Sequence, residues 1–68
     1  MTIRYFPDTD TALIDLANSD VVETKAVSDN LLLDLDSAGN LVSITIEHAK
    51  ENGTLSELVY REIRKETA

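Results

Sequence analysis

The residues of this 68-residue chain with the most capacity for chemistry are its carboxylates and its single histidine. Asp34 and Asp36, one residue apart, are followed by Gly39, which is how a calcium-binding loop opens. Such a loop needs oxygen ligands at its first, third and fifth positions, glycine at the sixth and a bidentate glutamate at the twelfth. Counted from Asp34, the fifth position is Ala38 and the twelfth is Thr45, so two ligands are missing. The flanking residues are of β type, whereas the calcium loop sits between helices. The string instead predicts a hairpin turn. Asp36 accepts from a backbone N–H two residues on, and Gly39 supplies the positive φ that closes a type I turn through a bulge.

His48 lies beside Glu47, and a histidine next to a carboxylate suggests general acid–base work. Adjacent residues on a strand point to opposite faces, however, so these two do not form a dyad. No serine sits in a nucleophile-elbow pattern, and cysteine is absent. A partner for His48 has to come from elsewhere in the fold or from across a subunit interface. Asp8 and Asp10, with Thr9 and Thr11, form a polar loop for which side-chain-to-backbone turn bonding is the simpler account than a held cation. The only glycines are Gly39 and Gly53, so no phosphate-cradling loop is present. Tyr5, Phe6 and Tyr60 are too few and scattered for a base-stacking platform. The expectation is a protein without catalytic, cofactor-binding or metal-binding residues, and not an enzyme.

The elements that position these residues are short. "TIRYF", "TALIDLA", "VVETKAVS", "LLLDLD" and "LVSITIEHA" read as strands separated by "PDTD", "NSD", "DN" and "SAGN". Runs this short favour an antiparallel meander over βαβ units. After Gly53 the pattern changes. Thr54 and Glu57 form a capping box, and Leu55, Leu58, Val59 and Ile63 repeat at helical spacing. The sequence therefore predicts an α+β fold in one domain, residues 1–68. A mostly antiparallel β-meander of about five short strands occupies residues 1–50, and an amphipathic helix occupies residues 54–67. The stripe Leu55, Leu58, Val59 and Ile63 is the candidate interaction surface. Leu32 and Leu13 point away from their apolar neighbours, which suggests that the helix or another subunit covers the second sheet face.

A chain this small hides only about 60% of its unfolded surface and ordinarily needs a staple. Without cysteine, disulfides and thiolate metal sites are excluded, which leaves self-association and predicts a homo-oligomer. The net charge is −7, with ten acidic and three basic residues in 1–53 against three of each in 54–68. That acidity disfavours direct nucleic-acid binding and would attract a basic protein partner. No apolar run is long enough to span a bilayer, the last segment lacks the basic excess of a membrane-surface helix, and no export signal is visible. A cytoplasmic location is the expectation.

"IRYFPDTDTALIDL", "VVETKAV" and "LLLDLDSAGNLVSITIEHA" resemble the successive segments of a family of small prokaryotic proteins catalogued as domain of unknown function 2283. The resemblance covers about Ile3 to Ala49. It departs at Ser43, where the family commonly has glycine, and in the longer tail. It implies a small, mostly β fold with a helical end and a likeness in genomic habit to antitoxin-like proteins; no catalytic residue carries over. The leading expectation is a non-enzymatic oligomeric protein–protein interaction module, antitoxin-like in kind. The alternative is a small-ligand-binding or weakly enzymatic domain with a subunit-interface site near His48.

Overall fold

A computed structural model describes residues 1–53, 57 and 59–65. Five strands form one sheet: β1 (Thr2–Phe6), β2 (Thr11–Asp15), β3 (Glu23–Ser28), β4 (Leu31–Leu35) and β5 (Leu41–Glu47). Every neighbouring pair is antiparallel and the spatial order is β1-β2-β5-β4-β3. The sheet is therefore not a simple meander. The last strand inserts between β2 and β4, and residues 16–22 carry the chain from β2 to the far edge. That crossing is tied down by the Leu16 and Ala17 N–H groups donating to the Val42 carbonyl, and by the Val22 N–H donating to the Leu35 carbonyl.

The register decides what each face carries, because paired residues share a face and successive residues alternate. One row runs Ile3, Ile14, Ile44, Leu33, Lys25 across all five strands, and the next runs Tyr5, Ala12, Ile46, Leu31, Ser28. This is the apolar face. The other face carries the row Arg4, Leu13, Thr45, Leu32, Ala26 and the polar row Thr2, Asp15, Ser43, Asp34, Thr24. Two bulges interrupt the ladder, one between Ala26 and Ser28 on edge strand β3 and one at the Asp34–Leu35 step against Leu41 and Ser43. The first of these, with Lys25 on the same strand, blunts an edge that would otherwise template further pairing.

The buried apolar residues are small: Ala12, Val42 and Ala49. Among the described residues no large side chain is fully enclosed, and Ile3, Ile14, Leu33, Ile44 and Ile46 are each only half-buried. A domain ordinarily packs two layers around a core. Here the described residues supply one.

The expected C-terminal helix is overturned. The described residues contain no helix, so the architecture is all-β and not α+β. Glu57 and Val59–Lys65 are non-helical and exposed, with Val59 59% and Ile63 86% accessible. Thr54, Leu55 and Leu58, and with them the threonine of the capping box and half of the predicted stripe, lie outside the described residues. The physical reason is length. A helix of about 12–15 residues is marginal in water and depends on tertiary packing of its apolar stripe. Val59 and Ile63 have no such packing, and both are β-branched, which lowers helix propensity further.

Candidate functional site

The strand order gathers three chain segments at one end of the sheet: the β1–β2 turn, the β3–β4 turn and residues 48–53 beyond β5. Asp10 is the hub of this corner. It adopts a left-handed conformation with φ of 54°, which aspartate tolerates better than most residues. The Tyr5 hydroxyl donates to Asp10 Oδ1 at 2.6 Å, and the backbone N–H groups of Lys50 and Glu51 donate to Oδ1 and Oδ2 at 2.9 and 3.0 Å. The Asp10 carbonyl also accepts from the Ala49 N–H at 2.9 Å, and Ala49 is fully buried. The ammonium of Lys50 lies 4.7 Å from the centre of the Tyr5 ring, within cation–π reach. The Tyr5 hydroxyl and the two backbone N–H groups hold the Asp10 carboxyl below its usual range, and the same contact with Asp10 pushes the Tyr5 phenol up.

His48 stands at the same corner, past the end of β5, with φ of 55°. Its Nδ1 is 2.8 Å from Asn30 Oδ1, and the Asn30 carbonyl accepts the Glu47 N–H at 2.9 Å. The residue brought to His48 is thus an amide, which orients the ring but does not relay a proton as a carboxylate does. Asp10, the nearby carboxylate, is already engaged by three donors of its own fold. From the sequence, Asp10 is expected to be a locally bonded turn residue. It does bond backbone N–H groups, but those of residues about forty positions away, a pairing with no local signature.

The Asp36 corner has the predicted turn geometry. Asp36 Oδ1 accepts from Ala38 N at 3.0 Å and Asn40 N at 2.8 Å, the Gly39 N–H donates to the Asp36 carbonyl, and Gly39 has φ of 82°. Asp34, two residues earlier, lies on the polar row. Its Oδ1 accepts from the Thr24 hydroxyl and its Oδ2 from the Ser43 hydroxyl, both at 2.6 Å. Those two bonds, the Ser43 one foremost, lower the Asp34 carboxyl. The two aspartates therefore serve different strands and turns. On the same face Arg4 bridges to Asp15 at 2.9 Å.

Of the predicted interaction stripe, Val59 and Ile63 are exposed and Leu55 and Leu58 lie outside the described residues. The surface that sequence reasoning did not single out is the apolar sheet face. Its signal was present as the alternation of Val42, Ile44 and Ile46 and of Leu31, Leu33 and Leu35, but that pattern is equally that of an enclosed core. Among the described residues no helix is long and apolar enough to cross a membrane, and no three acidic or histidine side chains converge as a metal-ion cluster.

No curated protein and no solved structure matches the chain. A family model, described as protein of unknown function (DUF2283), matches residues 2–50, which take in the five strands together with Asp10 and Lys50. The match takes in well over half of the chain, and the protein belongs to that family.

Proposed function

We propose that the protein is a non-enzymatic interaction module, an oligomeric sheet that binds another protein in the manner of a small antitoxin-like partner. The observation that carries this reading is the sheet itself, with one continuous apolar face and no large side chain fully enclosed. A single layer leaves burial incomplete, and protein association supplies the second layer. The acidic surface, −7 over the chain, favours a basic partner by steering its approach. The cytoplasm is the proposed setting, a compartment that suits a chain without cysteine. A ligand site at His48 has less support, because its Nδ1 is engaged by Asn30 and Asp10 is spent on the fold.

Affinity capture of the full chain from a native host, followed by identification of what co-elutes at low and high salt, tests the proposal. The expected result is a protein partner, basic in composition, whose capture weakens as salt rises. Capture of nothing at any ionic strength would contradict it.

A further inference from the structure

We infer that the apolar face of the sheet is an isologous dimer interface, covered by the same face of a second copy of this chain. The two faces of the sheet differ in charge in a way that selects this arrangement. On the opposite face the strands carry Asp15, Asp34 and Glu47 against Arg4 alone, so two copies meeting there would bring carboxylates together. On the apolar face the only charged strand residues are Glu23 and Lys25, one of each sign and both on edge strand β3. The centre, Ile14, Ile44, Ile46, Leu31 and Leu33, is free of charge. A basic partner, conversely, would be steered to the carboxylate face. The apolar face is left for a surface like itself.

Size sets the strength of such a pair. Five strands about 4.8 Å apart, with about five residues each rising about 3.4 Å, give a face of roughly 400 Å² in projection. Two such faces, with the relief of their side chains, bury roughly 800–1,000 Å², below the about 1,200–2,000 Å² of stable specific pairs and at the scale of weaker ones. Two sheets packed face to face lie about 10 Å apart with strands within about 30° of one another, and their inward side chains interdigitate into a core. Because β5 is the middle strand of five, a two-fold axis through the centre of the face sets β5 of one copy across β5 of the other. Ile44 then approaches Ile44 of the second copy, while Thr45, the next residue, faces outward.

Such a dimer rests on the interaction-module reading, and the two fail separately: a chain that captures a partner but never self-associates loses only the dimer. The chain has no cysteine, so a single introduced thiol reports one position. Full-length Ile44→Cys and Thr45→Cys proteins, with Ile46→Cys as a second probe of the apolar face, are treated with a short bis-maleimide while light scattering gives the mass of the unmodified chain. The expected result is a scattering mass of twice the chain and covalent dimer from Ile44→Cys and Ile46→Cys at least tenfold above that from Thr45→Cys. A folded monomer would overturn the inference, as would preferential linkage at Thr45→Cys or equal linkage at all three positions. A monomer whose apolar face takes up a hydrophobic dye only after residues 54–68 are removed would overturn it too, by assigning the face to the chain's own tail.

Discussion

The carboxylate of Asp10 and the backbone N–H of Lys50 meet at 2.9 Å across 40 positions of sequence. With the Tyr5 hydroxyl and the Glu51 N–H on the same carboxylate, this contact fastens the end of central strand β5 to the first hairpin. Beside the backbone bond from Ala49 to the Asp10 carbonyl, the corner is held by one ionised side chain, and that part of its strength follows the charge.

Asp10 is held below its ordinary carboxyl range in the folded protein. A depressed folded pKa contributes stability that is present above the unfolded value, about 3.9, and is lost as pH falls through the folded value. Thermal unfolding followed from pH 7 to pH 2 should show this acid-side loss in the natural chain and a shallower one in Asp10→Asn. At neutral pH, Asp10→Ala should be less stable than Asp10→Asn, because alanine loses both acceptor oxygens and strains at a φ of 54° that asparagine tolerates. Equal acid sensitivity of the natural chain and Asp10→Asn would remove the corner's role.

Asp34 is held low by the hydroxyls of Ser43 and Thr24. Ser43→Ala should raise the Asp34 carboxyl towards its ordinary value, read by carbon NMR titration of Asp34 in the natural and substituted chains. The Ser43 hydroxyl makes a bond that a glycine at this position would lack.

Gly39 closes the β4–β5 hairpin with φ of 82°, and a Cβ added there would meet nothing within 4 Å. Gly39→Ala therefore costs backbone strain alone, about 1–2 kcal/mol. Chemical denaturation should show that loss, and Gly39→Asn should recover part of it.

Ala12 and Ala49 are 1% and 0% accessible, one in the apolar face and one beneath the Asp10 corner. Ala49→Leu should destabilise the fold by about 1–3 kcal/mol through overpacking. Hydrogen exchange should place the loosening at the Lys50 and Glu51 amides first, since their acceptor moves with the corner.

The five strands were legible because short apolar and β-branched runs alternate with turn residues, most clearly for β4 and β5 along "LLLDLDSAGNLVSITIEHA". The Asp36–Gly39 turn was legible for the same reason, its donors and acceptors lying within four residues of one another. The insertion of β5 between β2 and β4 was not legible, since pairing partners far apart in sequence leave no local mark. Asp10 escaped for that reason. The tail misled in the other direction. Val59 and Ile63 have helical spacing, but spacing creates a helix only when the stripe has something to pack against, and here both are exposed. A pattern states which face could be buried. It does not supply the surface that buries it.

The dependence of thermal unfolding on protein concentration tests most directly whether the sheet is completed from outside the chain. Folding coupled to association makes the midpoint rise with concentration. Over a dilution of about a thousandfold, the account predicts a midpoint that falls steadily as the protein is diluted, and in Ile44→Glu a fold that is lost or no longer responds to concentration. A cooperative transition at one unchanging midpoint throughout the dilution of the natural chain would contradict it.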